Sequence, residues 1–319
     1  MKIKNNIIKG VITAAIALGG TVKLSAEENL WVYTKGTDTR PEGSYELKLS
    51  DTIRVGKGSG SYVFHDIRPE VEYGITDRLT IGAELMLFDH NYSLNDEGNN
   101  PMYETQEANG GDYNKTRYGG YEVALKYNVL SPYKDALGLS IGFAFEDRDR
   151  YRLDGAQIDQ QSYATTIFTQ KNWLDDRLTL AVNWKTELER RKSGADSTLE
   201  EEIAFDVSAG LSYRFMPKHF LGIELRTQSD YLSPSENGEK EPDLQSSNFD
   251  LLDMQLGTRH QIAWYAGPTY HYAEKNWWLT AGILFQFEGD GSVHAFNRDG
   301  KNYDEHEDVH IGLFYGYEF

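Results

Sequence analysis

Alternation of apolar and polar residues along most of the chain constrains its fold more than any other feature of the sequence. From Tyr45 to Val55 the odd-numbered residues are mostly apolar and the even-numbered ones are polar or charged. The same period of two recurs in eleven further segments. Because successive side chains of a β-strand point to opposite faces, this pattern predicts an all-β protein of twelve strands, each with one apolar and one polar face.

The lengths of the connections between these strands favour one kind of β protein. Short connections alternate with a set that includes three long ones; the short ones are 74–78, 130–136, 173–177, 216–219 and 273–276, and the long ones are 88–117, 229–258 and 289–308. Outer-membrane β-barrels have short periplasmic turns and long extracellular loops. We therefore predict that residues 44–319 form a closed antiparallel transmembrane β-barrel of twelve strands. A soluble β-sandwich is the alternative that the alternation alone leaves open.

The N-terminal residues lie outside this pattern. Three lysines precede an apolar stretch over residues 11–20, and Ala26 closes a short segment of mostly small residues. These features predict that residues 1–26 are a cleaved signal peptide. Residues 27–43 lack clean alternation and are predicted to be a periplasmic segment, an insert in the lumen or part of a further hairpin. The last possibility gives fourteen strands as the alternative count.

Composition excludes several classes of protein. The chain has 319 residues, no cysteine and a formal net charge of -18. Nucleic-acid binding needs a basic surface, so we expect no nucleic-acid partner. Without cysteine there is neither a disulfide scaffold nor a cysteine-zinc site. No apolar run reaches the roughly 18 residues of a membrane-spanning helix.

Aromatic residues cluster at the short-turn ends of the predicted strands. Tyr and Trp favour membrane interfaces, where one side of the ring meets lipid and the other meets water. The clustering therefore predicts an aromatic girdle, which consists of Tyr73, Tyr127, Trp173, Phe215, Tyr272, Trp277 and Phe319.

The twelve amphipathic strands and the terminal sequence YGYEF, residues 315–319, resemble the bacterial outer-membrane β-barrel class. In that class a final aromatic residue is part of the signal that the barrel-assembly machinery recognises. The resemblance implies this role for Tyr317 and Phe319, and a location in the outer membrane of a Gram-negative bacterium. The segments RPEGSYE (40–46) and YGITDRL (73–79) are also similar to an uncharacterised subgroup of predicted barrels, which carries no known activity.

The polar strand faces carry many charges, which a barrel turns toward its interior. Barrels of roughly eight strands are filled by side chains, whereas those of about 16 leave an aqueous channel, so twelve strands predict a narrow water-filled passage. The inward acidic residues outnumber the inward bases, which predicts a weak cation preference. The predicted permeation residues are Arg68, Glu70, Glu84, Glu122, Lys126, Lys185, Asp206, Glu224 and Arg226. Alternatively, these charges pair with one another across the lumen.

For two acidic residues the alternation makes a specific prediction about which face of the strand they occupy. Asp51 falls on the apolar face, where a charge is costly in lipid, so we expect a local β-bulge to turn it inward. Glu288 falls on the polar face and is assigned to the interior.

The long loops and the histidines bear on alternative functions. The acidic segment 299–308 is rich in oxygen ligands, but its spacing does not match a calcium-binding loop, so we expect no metal and no cofactor. A lipid-modifying enzyme would need a serine and a histidine together on the lipid face. No serine lies there in the strand cores, the outward His65 and His260 lack a nucleophile, and His271 and His310 are expected to be hydrogen-bonded lumen residues.

The sequence thus predicts a porin-like outer-membrane channel for the passive diffusion of small hydrophilic solutes, and no enzyme. The first alternative is a closed structural or surface-binding barrel that acts through its acidic extracellular loops; a lipid-modifying barrel enzyme is the weaker one. The predicted partners are outer-membrane lipid, the barrel-assembly machinery and the solutes. The sequence leaves the oligomeric state open.

Overall fold

Hydrogen bonds between neighbouring strands run around the molecule and close it into a barrel. The computed structural model describes residues 29–57, 60–93, 112–193, 199–232, 235–236, 239–240, 259–291, 297–303 and 305–319. Within these residues, twelve antiparallel strands follow one another in chain order, and the first pairs with the last. The predicted fold class and the count of twelve strands are therefore confirmed.

The strand bounds are as follows. The barrel consists of β1 (Tyr45–Val55), β2 (Ser61–Thr76), β3 (Leu79–Ser93), β4 (Asp112–Leu130), β5 (Gly138–Arg150), β6 (Gln157–Trp173), β7 (Leu178–Ser193), β8 (Leu199–Met216), β9 (His219–Leu232), β12 (Arg259–Ala273), β13 (Trp277–Gly291) and β16 (Val309–Glu318). Two small hairpins lie in the long loops, β10 (Ser235–Glu236) with β11 (Glu239–Lys240), and β14 (Asn297–Arg298) with β15 (Lys301–Asn302).

The two ends of the barrel differ. Turns of two to seven residues connect β2 to β3, β4 to β5, β6 to β7, β8 to β9 and β12 to β13; we call this the short-turn end and the opposite end the long-loop end. Both ends of the barrel sequence meet at the short-turn end, where the Phe319 N–H donates to the Tyr45 carbonyl at 3.0 Å. No helix in the described ranges is long and apolar enough to cross a membrane.

The outer surface of the barrel is apolar. Leu125, Phe143 and Ile223 point outward and are 41%, 58% and 57% exposed. The residues that alternate with them point inward and are mostly polar, and many, such as Glu224, are buried. A soluble protein has the opposite arrangement, since it buries its apolar side chains. The closed barrel excludes the β-sandwich alternative.

The three long connections are shorter than the sequence predicted. β9 continues to Leu232 and β13 to Gly291, and the largest difference is at 88–117. Residues 88–117 were expected to form a loop, but β3 continues to Ser93 and β4 begins at Asp112. The alternation breaks here because the pairing of β3 with β4 shifts at Gly119–Gly120. Gly120 has φ +147°, which residues with a Cβ avoid. Beyond this bulge the phase reverses, and odd-numbered residues such as Tyr113 point inward.

The structure contradicts both expectations for the acidic residues: Asp51 and Glu288 lie on the outer face. β1 pairs with β2 and β16 without a break, so Asp51 stays on the outer face. It needs no bulge because the outward His65 supplies a partner, with Nδ1 2.9 Å from the Asp51 carboxylate. Glu288 is exposed, opposite the outward Trp264, because a register shift between β12 and β13 at this level moves it off the inner face.

Candidate permeation pathway

A segment that precedes β1 runs inside the barrel near the short-turn end. We call this segment, residues 29–44, the strap. Its polar groups bond to inward side chains of seven strands. In order along the strap these partners are Thr280 on β13, Glu224 on β9, Asn183 on β7, Gln170 on β6, Ser140 on β5, Asn128 on β4 and Thr80 on β3. The strap therefore follows most of the inner wall.

Glu224 binds three consecutive residues of the strap. Its carboxylate accepts hydrogen bonds from the N–H groups of Val32 (2.9 Å), Tyr33 (2.9 Å) and Thr34 (2.6 Å), and from the Thr34 hydroxyl (2.8 Å). The Glu224 side chain is completely buried. Hydrogen bonds to a charged acceptor are stronger than neutral ones. Glu224, a predicted permeation residue, is thus bound to the strap.

Glycines on the inner wall make room for the strap. A Cβ on Gly210 would lie 2.4 Å from the Trp31 ring, and one on Gly312 would lie 2.6 Å from a Val32 methyl group. The same holds at four further inward positions, where a Cβ would lie within 2.5 Å of a strap atom or of the Thr269 hydroxyl: Gly74, Gly138, Gly222 and Gly282. The wall is therefore shaped to the strap backbone and to Trp31 and Val32.

The strap ends at a buried ion cluster. The Arg40 guanidinium lies 3.1 Å from the carboxylates of both Glu46 and Glu318, and all three side chains are buried. Glu46 also accepts a hydrogen bond from the Trp278 indole at 2.5 Å. This cluster ties the strap to β1, β13 and β16, where the barrel closes.

The long-loop end of the lumen is filled differently. The segment 151–156, between β5 and β6, folds inward, and three wall side chains bind its carbonyl groups. The Tyr62 hydroxyl donates to Leu153 O at 2.9 Å, the Tyr92 hydroxyl donates to Asp154 O at 3.1 Å, and His90 Nε2 lies 2.8 Å from Arg152 O. Leu153 packs into a buried cluster with the inward residues Tyr62, Phe64, Met86, Phe88, Tyr92 and Tyr113.

A second inward segment, 305–308, lies beside β16. The buried Glu307 carboxylate is 3.0 Å from His310 Nε2 and 3.6 Å from the Lys57 ammonium. Burial alone would raise the pKa of Glu307, but the Lys57 charge and the His310 hydrogen bond outweigh it and hold the pKa below its usual value. Burial lowers the pKa of the neighbouring His306 well below its ordinary value.

Most of the predicted permeation residues form ion pairs on the wall. Arg68 contacts Asp66 at 2.8 Å and also Glu84. Glu70 pairs with Lys48, Lys185 lies 2.5 Å from Glu187, and Asp206 lies 2.5 Å from Arg226. Arg226 also stacks on Tyr33 of the strap, 3.7 Å from the ring centre.

Glu122 and Lys126, on the same face of β4, are placed differently. No described residue forms an ion pair with Glu122, and the Lys126 ammonium lies 4.9 Å from the centre of the Phe168 ring. Both side chains are only partly buried, as are Lys185 and Asp206. These four charged side chains of the inner wall therefore keep partial contact with solvent.

The strap carries an exposed charged side chain, Lys35. Lys35 is exposed although Thr34 and Thr37 beside it are 1% and 0% exposed. Its backbone is fixed to the wall through Asn183, so the side chain points away from the wall. Space for water therefore remains beside the strap.

Comparison with known proteins places the chain in a family. The model of a family of unknown function, DUF6662, matches residues 23–319. The chain belongs to this family. No curated protein matches it in sequence.

Several solved outer-membrane proteins have a fold similar to that of this chain. The COG4313 outer-membrane channel from Pseudomonas putida F1 is similar over 89% of this chain and 98% of that chain, with 13% identity and a TM-score of 0.59. The NanC porin is similar over 85% and 98%, with 8% identity and a TM-score of 0.45, and the KdgM porin over 86% and 99%, with 12% and 0.43. The resemblance to outer-membrane barrels is confirmed at the level of the fold.

The predicted girdle residues lie near the short-turn end. Tyr73 packs on Tyr45 with ring centres 4.6 Å apart, and Trp277 lies 5.3 Å from Tyr272. Phe319 lies 4.8 Å from Tyr317, its partner in the predicted assembly signal. Trp173, Tyr127 and Phe215 occupy the same end of β6, β4 and β8. Their roles at the membrane interface and in assembly remain predictions.

The histidines and acidic loops offer no metal site among the described residues, where no group of three or more His, Asp or Glu side chains is arranged to hold an ion. His271 Nδ1 lies 2.7 Å from the Thr280 hydroxyl, and His310 lies between Tyr33 and Glu307. Both are hydrogen-bonded lumen residues, as predicted. Asp304, most of 229–258 and the predicted signal peptide lie outside the described residues.

The sequence alone did not identify the residues that bind the strap. Asn183, Gln170 and Asn128 are ordinary polar residues on inward positions, and nothing local distinguishes them. The glycines were the available signal. Six of them fall on inward positions toward the short-turn end: Gly74, Gly138, Gly210, Gly222, Gly282 and Gly312. Glycine inside a strand often marks the close approach of another backbone.

Proposed function

We propose that this protein is an outer-membrane channel of a Gram-negative bacterium that passes small hydrophilic solutes by passive diffusion. Two features support the location: the apolar outer face of the barrel and the fold shared with the Pseudomonas putida channel. Short turns would face the periplasm and long loops the exterior.

One observation carries the channel proposal. Lys35 is exposed inside the barrel, at the level where the strap crosses the lumen. A strap that sealed the lumen would bury this side chain together with its neighbours Thr34 and Thr37. Further toward the long-loop end, the partly exposed Lys126, Lys185 and Glu122 continue the same open side. The proposed passage follows these residues along the wall formed by β4 to β8.

We also propose a weak preference for cations. Glu122 is partly exposed without an ion-pair partner among the described residues, whereas the nearby Arg68 and Lys185 each contact a carboxylate. An unpaired charge on a wall of low dielectric constant attracts mobile ions of the opposite sign. The acidic loop segments 229–258 and 299–308 would concentrate cations at the outer mouth.

Planar-bilayer recording of the purified full chain tests the function. We expect discrete conductance steps, with a small cation preference in a KCl gradient that weakens toward about 1 M salt, because screening shortens the range of the wall charges. Glu122→Gln should reduce the preference, and Asp159→Asn, on the outer face, should not. Absence of conductance at every voltage would contradict the proposal.

A closed barrel that binds a partner through its acidic loops is the second candidate. The filling of both ends of the lumen, by the strap and by 151–156, favours it. Deletion of residues 232–248 separates the two functions. A channel should keep its conductance after this deletion, whereas a barrel that binds through its loops should lose its partner.

We propose no catalytic role and no cofactor. His65 and Asp51 form a pair on the outer face, but no serine, threonine or lysine nucleophile is bonded to that pair among the described residues. The partners that we propose besides solutes are outer-membrane lipid and the barrel-assembly machinery, the latter through Tyr317 and Phe319. Phe319→Ala should then slow membrane insertion without changing the conductance of the molecules that assemble.

A further inference from the structure

The strap presents Lys35 in a fixed position. The Lys35 N–H donates to Asn183 Oδ1 at 2.6 Å, and Asn183 Nδ2 donates to the Lys35 carbonyl at 2.8 Å. These two hydrogen bonds fix both the N–H and the carbonyl group of Lys35 to β7. The side chain must therefore leave the wall, toward the open side of the lumen.

The ammonium of Lys35 differs from several other bases of the lumen because it is exposed and is not held in an ion pair with any described residue. Lys48, Lys185 and Arg226 each lie against a carboxylate on the wall. Paired charges largely cancel in their effect on a passing ion, and an exposed unpaired charge does not.

Other charges extend the influence of Lys35 across the passage. Asn183 and Lys185 are neighbours on the inward face of β7, so the Lys185 side chain is next to the strap contact. The Lys35 charge also acts on Glu70 and Glu72 of β2, which lies five strands away around the barrel. The Lys35 charge is therefore within electrostatic range of wall carboxylates, although it forms no ion pair with them among the described residues.

We propose that Lys35 is the selectivity-determining residue of the passage. It sets a fixed positive charge at the level of the strap, opposes the field of the wall carboxylates and keeps the cation preference weak. Simple cations are then favoured only slightly over solutes of equal size that carry no net charge. This inference rests on the proposed channel function and deepens it.

The chain contains no cysteine, which allows the charge to be changed after folding. In Lys35→Cys, a thiol reagent that adds a positive group should restore the weak selectivity of the wild type. One that adds a negative group should raise the cation-to-anion permeability ratio about tenfold, because a unit charge a few ångströms from the path contributes on the order of 1 kcal/mol or more. Lys35→Glu should act in the same direction as the negative reagent.

Lys134 supplies the matched control. It is exposed in the turn between β4 and β5, outside the lumen, so Lys134→Glu makes the same change in net charge away from the passage. Its permeability ratio should stay close to that of the wild type. Solute flux into liposomes gives a second readout: a small cation should enter only slightly faster than glycine in the wild type, and several-fold faster than glycine in Lys35→Glu.

The possible failures are distinguishable. Absence of conductance in every variant contradicts the channel function. In Lys35→Cys, a permeability ratio that stays the same after complete modification of the introduced thiol, measured by mass spectrometry, overturns the role of Lys35. An introduced thiol that does not react in the conducting protein overturns the exposure on which the inference rests.

Discussion

The two ends of the lumen are filled by different physical means. At the short-turn end, wall carboxylate and amide groups bind the strap backbone, and inward glycines give it room. At the long-loop end, aromatic side chains of the wall pack on Leu153 and bind carbonyl groups of 151–156. The strap is therefore held by the four hydrogen bonds of Glu224, by the Arg40 ion cluster and by neutral hydrogen bonds to the wall. The segment 151–156 is held by packing on Leu153, by three hydrogen bonds to its carbonyl groups and by the ion pair of Arg152 with Glu146 at 2.7 Å.

The largest effect should follow from the loss of the Glu224 carboxylate. Glu224→Ala removes the acceptor of four hydrogen bonds and leaves three N–H groups of the strap unpaired, two of them buried, at a cost of several kcal/mol to the docked strap. We expect the strap to leave the wall and the single-channel conductance to rise several-fold. Asp230→Asn, on the same face of β9, is the control. An unchanged conductance in Glu224→Ala would show that the strap does not limit the passage.

Filling a glycine gap should have the next largest effect. Gly210→Val places a side chain where the Trp31 ring lies 2.4 Å from the position of a Cβ. Overpacking of this kind costs about 1–3 kcal/mol. We expect a lower thermal unfolding temperature and a smaller rise in conductance than in Glu224→Ala. The double variant Gly210→Val/Trp31→Ala should recover stability, and additive effects of the two changes would contradict direct contact.

These two sites also show how far the sequence predicts the structure. Alternation alone placed Leu125 and Phe143 outside and Glu224 inside, because the side-chain period of a strand is fixed by geometry. It could not show that Glu224 binds the strap, because residues 29–44 have no period and their position depends on contacts with seven strands. The bulge at Gly119–Gly120 and the register shift beside Glu288 were also missed, since each is set by pairing between strands and not by local sequence.

At the long-loop end, the segment 305–308 should loosen as the pH falls. The pKa of Glu307 lies below its ordinary value, so its contribution to stability is present above about pH 4.3, the unfolded value, and is lost as the pH falls toward its folded pKa. The buried His306 also has a lowered pKa, so its contribution is complete above about pH 6.5 and declines below that value.

Hydrogen exchange between pH 7 and pH 4 measures this loosening, after correction for the intrinsic pH dependence of exchange. Protection of 305–308 should fall at low pH, while the strap near Glu224 serves as the internal comparison. His306→Phe should remove the part of the change that begins near pH 6.5. Equal protection of 305–308 at both pH values would contradict the assigned roles of these two residues.

The smallest effect should come from a single contact to 151–156. Tyr92→Phe removes the hydrogen bond to the Asp154 carbonyl but keeps the ring, which stacks on Tyr113 with centres 5.1 Å apart. One neutral hydrogen bond contributes about 1 kcal/mol, so opening of the segment should become about fivefold more frequent. Exchange of the Gly155 N–H, which bonds to the Tyr151 carbonyl at 2.9 Å, reports that opening. Tyr163→Phe, on the outer face, makes the same chemical change without touching the segment. An effect on conductance as large as that of Glu224→Ala would contradict the distinction between the two ends, because the loss of one of several contacts should not release 151–156.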